Sequence, residues 1–389
     1  METIATEQGL PIQSWCKSPD RAALQQAYNL ARLPFVYHHI ALMPDCHSGY
    51  GMPIGGVVAC LDTVIPNAVG VDIGCGMCAV QTDVSTTSFS AETIRSLIRQ
   101  INAAIPTGFK HHKNAQTWDG FNDAPDSAVI AQELHSARKQ MGTLGGGNHF
   151  IELQKDSIDK LWLMIHCGSR NFGLKIATLY HQKALAYCTQ QSLALPDNDL
   201  AFLPIDHADA REYLSAMQYA MRFAEENRRQ IKERCLEIIT EHFPHTAVQS
   251  EINIHHNFAA LEHHFGTAVM VHRKGATSAR AQQMGIIPGS MGSASYIVRG
   301  KGNPQSFESC SHGAGRAMGR NEANRQLTLT AVKDAIGLVQ IAVWPRDRSG
   351  ALDLSEAPQA YKNIDTVMAE QADLVEIVER LLPLGVVKG

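Results

Sequence analysis

Stretches of helical period and short apolar strand-like runs follow one another irregularly along this chain, which predicts an α+β fold. Three observations carry that reading. The two kinds of stretch never settle into the steady alternation of a doubly wound sheet or a βα barrel. No sequence period repeats. No Pro-, Ser- or Gly-rich linker divides the 389 residues, so no domain boundary is legible, although the length alone would allow two or three domains.

Residues 19–33 read as a helix, opened by Pro19-Asp20 and carrying Ala and Leu at helical spacing. The run HHIALMPDCHSGYGMPIGG is dense in Gly, Pro and His and reads as a loop before the short strand VVAC. Helical periods return over 91–104 and 126–141, separated by a polar, histidine-bearing loop around Lys110 to Lys113. HFIELQ and LWLMIHC read as strands beside Gly-rich turns. A long helix is expected over 208–242, with Asn227, Arg228, Arg229 and Lys232 marking a basic face. Strands follow at EINIHHNF, AVMVHRKG, SYIVRG and VQIAVW, and a closing helix at 365–382.

Net charge is only -4, which argues against a protein that coats nucleic acid by bulk charge; a polyanion site would have to be focused. The N-terminal METIATEQGL lacks the basic and apolar segments of a secretory signal, and no apolar run reaches the length of a membrane span, so a cytoplasmic protein is expected. Nine scattered cysteines without a CxxC pair argue for reduced core residues and against a disulfide framework or zinc ribbon.

The stretch CSHGAGRAMGR is the chemical centre of the sequence. If a helix begins there, His312 stands at its N-terminus with Arg316 and Arg320 on one face, an anion site with a ligand, base or nucleophile at hand. A Gly-rich turn into an ordinary helix is the plain alternative. Asp72 and Cys75, in VGVDIGCGM, lie three apart on a glycine turn and can face one ion. His149 follows the glycines of TLGGGNHFIEL; strand parity puts Asn148, Phe150 and Glu152 on the opposite face, suited to a planar polar ligand. His166 ends the apolar run LWLMI, with Arg170 just beyond. His256 shares a face with Ile252 and Ile254, where a neutral imidazole is stable and a bare charge is not. Each histidine alone reads as a satisfied core residue sooner than as a ligand. Together the five side chains can hold one metal, or two sharing the thiolate, and their ligand chemistry leans to zinc or iron over manganese. Arg273, Lys274 and Arg280 cluster around Gly275, and PGSMGSASY adds Ser290 and Ser295 as a phosphate-loop lining. Neither a P-loop nor a Rossmann fingerprint is present. A dinuclear metallohydrolase acting on phosphoesters would use the metal cluster alone.

Taken in order, MPDCHSGYGMPIGG, VGVDIGCGM, GGGNHFIEL, HCGSRNFG, HHNFA, HRKGATSA, PGSMGSASY, SHGAGR, EAPQAYKNID and the terminal Lys-Gly resemble the RNA-splicing ligase RtcB family, from about residue 40 to the last residue. The stretch 105–140 matches only loosely. The resemblance implies one large domain over 1–389, of mixed, mainly antiparallel sheets flanked by helices. It implies a monomer, away from membranes, that joins RNA 2′,3′-cyclic phosphate or 3′-phosphate ends to 5′-hydroxyl ends with GTP and two manganese ions, in RNA repair or tRNA splicing. By the same resemblance His312 takes up GMP, and Asp72, Cys75, His149, His166 and His256 hold manganese. Asn148, Phe150, Glu152, Asn257, Ser290, Ser295, Ala314, Gly315, Tyr361 and Lys388 would surround the guanylate, while Arg170, Arg316 and Arg320 hold phosphates. Asp45 and His47 match a motif near the site to which no role is assigned.

Overall fold

The computed structural model describes residues 1–7, 9–347 and 350–389. Strand pairing gathers into two large sheets. The first runs Glu2–Ile4, Ile12–Ser14, Val36–His47, Ile54–Cys60, Thr267–Lys274, Asn257–His264. The second runs Val248–His255, Gly76–Ser85, Lys160–Cys167, Phe150–Lys155, Val375–Lys388, Ser295–Gly300, Met284–Ile287, with Gln340–Ile341 added beside Val375–Lys388. Within these two sheets only the pairings of Ile12–Ser14 with Val36–His47 and of Gln340–Ile341 with Val375–Lys388 are parallel. Eight α-helices among the described residues pack around them, and the predicted α+β class holds.

The helices form where the sequence caps them. Asp20 accepts from Ala23 N at the start of Arg21–Ala31, and Ser90 accepts from Thr93 N at the start of Ala91–Ala104. The latter buries Ile94, Leu97, Ile98 and Ile101, a stripe at helical spacing that packs on the second sheet with Ile151, Leu163 and Val387. The long helix Ala208–His242 has the expected bounds. Its basic face holds only in part: Arg229 is exposed. Arg228 is wholly buried, donating to Gly74 O (3.0 Å), Cys167 O (2.9 Å) and Asn253 Oδ1 (2.7 Å). Asn227 beside it accepts from Gly142 N and Thr143 N. This helix therefore pins the turns that carry Cys75, His149 and His166.

Four local expectations are corrected. Most of the run read as a loop is a strand, Val36–His47, because Pro44 falls where the pairing register shifts between Leu42 and His47, and His38 and His39 where it shifts between Val36 and Ile40. No helix begins at His312: Ser309–Ser311 is a strand, and Gly315 turns with φ +73 so close beneath Asp45 that a Cβ would run into its carbonyl. Helix begins only at Arg320, so Arg316 and Arg320 do not share a helix face. The strand at VQIAVW shrinks to Gln340–Ile341. The closing helix is Ile364–Glu370 alone; from Val375 to Lys388 the chain is a strand paired on both sides, with Pro383 at a register shift. All nine cysteines are free and buried, as expected.

Candidate active site

The ends of the two sheets face each other across a cavity of about 570 Å³. One wall is supplied by His47, Ile54, Asn257 and Lys274 of the first sheet, the other by Phe150, Glu152, His166, Val386 and Lys388 of the second. The turn 312–316 closes it. Of the nineteen residues to which the resemblance gives a role, sixteen line this space; His149, Ser295 and Arg170 do not.

The potential metal ligands make a continuous row. His149 Nε2 lies 3.2 Å from Asp72 Oδ2 and 3.5 Å from Cys75 Sγ, His166 Nε2 lies 3.3 Å from the same sulfur, and His256 Nε2 lies 3.4 Å from His166 Nε2. Cys75, His149 and His166 meet the spacing of a metal group, with ligand atoms all within 4.8 Å of one another. Ring tautomers follow from the outer bonds: His149 Nδ1 donates to Leu144 O (2.9 Å) and His166 Nδ1 to Asn148 O (3.1 Å), which turns both Nε2 atoms inward. The row is electrostatically tense. Burial pushes the Cys75 thiol up to about 12 and the His166 and His256 imidazoles well below their ordinary range. Burial also opposes charge on Asp72 and His149, but their mutual contact holds the carboxyl well below the usual range, and the nearby Cys167 and Cys75 sulfurs with Asp72 carry His149 well above it. His256 Nδ1 is buried with no hydrogen-bond partner among the described residues. Converging sulfur, oxygen and imidazole nitrogen atoms with too few protons to share are a donor set that a divalent cation fits. Gly168 permits the convergence, since a Cβ there would collide with the Asp72 carboxylate.

One ring further along, His312 packs against His256 at 4.9 Å between centroids. Its Nδ1 lies 2.7 Å from Oδ2 of Asp45, a carboxylate with no solvent exposure that also accepts from the His312 and Gly313 amides. Burial acts to raise the Asp45 carboxyl, but the adjoining His312 imidazole outweighs it and holds it below the ordinary value. We assign the Nδ1 proton to this bond, which leaves the lone pair on Nε2.

At the other end stand two aromatic rings, two carboxyls and three cations. Glu356 accepts from Arg316 Nη1 (3.1 Å), Arg320 Nε (3.2 Å) and the Tyr361 hydroxyl, and lies 3.6 Å from Lys388 Nζ. Burial opposes its charge, yet Lys388 and the arginines depress its carboxyl to about 2. Lys388 also lies over the Phe150 ring. Glu152 has no such company: burial pushes it up to about 8 against Gln154 and Lys388.

A family model described as tRNA-splicing ligase RtcB matches residues 26–122 and 114–389. The chain belongs to the RtcB family. It is 40% identical to the RNA-splicing ligase RtcB of Escherichia coli K12 over 99% of both chains. It is 32% identical to the tRNA-splicing ligase RtcB of Thermococcus kodakarensis over 94% of this chain and 91% of that one. It is 30% identical to the RNA-splicing ligase RtcB of Mycobacterium tuberculosis over 94% of this chain and all of that one.

In this family member several placements differ from the sequence reading. Arg170 donates to Thr143 Oγ1 (3.1 Å) and Gly108 O (3.3 Å) and does not line the cavity. Ser295 is buried, its hydroxyl accepting from Gln154 Nε2 and Gly289 N. Of the basic trio around Gly275, only Lys274 enters the cavity, its ammonium on Tyr50 O (2.6 Å) and Asn67 O (3.0 Å) and its pKa lowered by burial to about 8. Arg273 is buried against Glu262, and Arg280 reaches Glu262 from the surface. Asp45 and Glu356 went unassigned in the sequence. Asp45 lay within a matching motif, and Glu356 opened the matching run EAPQAYKNID, but their partners are distant in the chain.

Proposed function

We propose that this chain is an RNA ligase that joins ends bearing a 2′,3′-cyclic phosphate or a 3′-phosphate to 5′-hydroxyl ends, using GTP, with His312 as the guanylate carrier. The observation that carries the reading is the His312–Asp45 pair beside the potential metal ligands. A neutral imidazole whose far nitrogen is held by a buried carboxylate is an oriented nucleophile, and the positive charge it gains on attack is stabilised by that carboxylate.

Guanine suits the Glu152 end of the cavity. Its adjacent N1–H and N2–H groups match a carboxylate, its carbonyl matches the Lys388 ammonium, and the Phe150 ring offers a stacking face. His312 Nε2 attacks the α-phosphorus of GTP; a P–N bond forms, the bond to the β-phosphate oxygen breaks, and pyrophosphate leaves. Water opens a cyclic phosphate to the 3′-phosphate. An oxygen of that 3′-phosphate attacks the phosphorus held on His312, the P–N bond breaks, and RNA(3′)pp(5′)G results. The 5′-hydroxyl oxygen then attacks the 3′-phosphorus, losing its proton as GMP departs. Two manganese ions, held by Asp72, Cys75, His149, His166 and His256, would supply charge stabilisation to the phosphate oxygens. Arg316 and Arg320 stand where phosphate oxygens can draw them from Glu356. A metallohydrolase would need neither the His312–Asp45 pair nor a base pocket.

The test is covalent labelling. With manganese and α-labelled GTP the wild-type chain takes up label that survives denaturation, H312A takes up none, and D45N takes it up on the order of 10⁴-fold more slowly, the loss seen when a histidine is left in the wrong tautomer. Label retained in H312A, or sealing only of 3′-hydroxyl to 5′-phosphate ends, overturns the reading.

A further inference from the structure

Two cysteines and a lysine meet outside the cavity, next to the carboxylate that holds His312. Cys16 follows the strand Ile12–Ser14, and Cys46 stands beside Asp45 near the end of Val36–His47. Each thiol is a hydrogen-bond partner of the other. Lys362 closes the group: its Nζ lies 3.4 Å from Cys16 Sγ and donates to Cys46 O (2.6 Å) and Pro44 O (3.0 Å). The bond from Cys46, with the Lys362 ammonium and the Ser18 amide, outweighs burial and holds the Cys16 thiol below its ordinary range. Its bond to Cys16 and its burial push Cys46 well above that range, so a thiolate stands beside a thiol. Burial pushes Cys60, Cys78, Cys235 and Cys310 up as well. Cysteines kept for packing alone would need no cation. Cys16 retains 3% exposure and precedes the exposed Lys17 and Ser18, an approach wide enough only for a small oxidant.

Two contacts connect this group to the guanylate carrier. Asp45, the chain neighbour of Cys46, accepts from His312 Nδ1 and from the His312 and Gly313 amides. Lys362 N donates to Gly315 O (2.9 Å), and Gly315 lies so close to the Asp45 backbone that no Cβ fits between them. Movement of the backbone at Cys46 towards Cys16 therefore loosens the hold of Asp45 on His312.

We propose that Cys16 and Cys46 form a reversible disulfide with hydrogen peroxide as the oxidant, and that this bond slows the uptake of GMP by His312. The Cys16 thiolate attacks one peroxide oxygen; an S–O bond forms, the O–O bond breaks, and the hydroxide released takes up the proton that the thiol had lost. The Cys46 sulfur attacks the sulfenic sulfur, an S–S bond forms, the S–O bond breaks, and a second water leaves with the Cys46 proton. The thiol pair loses two electrons, and one peroxide is reduced to two waters. The bond brings the sulfurs to about 2 Å, closer than any contact between free thiols, and draws the two segments together. The effect on His312 rests on the ligase reading; the thiol pair itself does not.

The test reads the bond and its effect separately. The full chain as purified is treated with hydrogen peroxide, catalase removes the excess, and manganese with α-labelled GTP follows. Mass spectrometry of the digested chain should find residues 16 and 46 joined. Label uptake should fall on the order of 100-fold, the cost of a misplacement of about 1 Å. Dithiothreitol should reverse both changes. C16S should label like the untreated wild type before and after peroxide, which separates this bond from oxidation of Cys75 in the cavity. Equal loss in peroxide-treated C16S, or no link between residues 16 and 46 in the wild type, overturns the proposal. A linked chain that labels at the full rate overturns the effect on His312. If the untreated wild type takes up no label, the ligase reading fails, and the link, read by mass, still decides whether the thiol pair closes.

Discussion

Glu152 carries its proton at neutral pH because burial makes the charged form costly, and this has a kinetic consequence. If it receives the two N–H groups of guanine, only its ionised form can accept both. The KM for GTP in self-guanylylation should therefore fall as pH rises from 6.5 towards 8.5, by roughly 25-fold, in line with a carboxyl titrating near 8. E152Q should lose that dependence, as read from KM at each pH. A pH-independent KM in the wild type would remove Glu152 from the base pocket. At this scale the sequence was informative wherever a chemical residue stood in a short motif with its glycines, as with Asp72, Cys75 and His312. It was silent on Asp45 as the partner of His312, 267 positions away, and on Glu356 as the meeting point of Arg316, Arg320 and Lys388, because no local pattern encodes a long-range contact.

The helix Ala208–His242 illustrates what a period can and cannot reveal. Its bounds were legible from spacing, but Arg228 read as part of a basic face and is instead buried, bonded to the carbonyls of Gly74 and Cys167. Replacing it with methionine leaves these carbonyls without their donor at the turns flanking Cys75 and His166. The expected loss is on the order of 3 kcal/mol, seen as a lower thermal midpoint, together with reduced metal content in the purified protein. Unchanged metal content in R228M would show that the helix does not hold the ligand turns. The terminal strand Val375–Lys388 was misread for the opposite reason. Its Glu, Arg and Leu residues suit a helix, but pairing with Ser295–Gly300 on one side and Phe150–Lys155 on the other overrides that local preference and delivers Lys388 to the cavity.

The class of the whole fold could be read from irregular alternation, whereas its division into two sheets could not. Which strands pair depends on side-chain packing between segments hundreds of residues apart, and the cavity exists only because the ends of both sheets meet. Asn257 and Lys274 come from one, Glu152 and His166 from the other.

This arrangement bears on how the chain regains activity after denaturation. Helices such as Ala91–Ala104 close through neighbours three and four positions apart, while the Asp45–His312 and Lys388–Glu152 ends must find each other across long stretches of chain. On dilution from urea, recovery of the helical circular-dichroism signal should precede recovery of GTP labelling by a measurable lag. Simultaneous return of both would mean that the two sheets condense in one step.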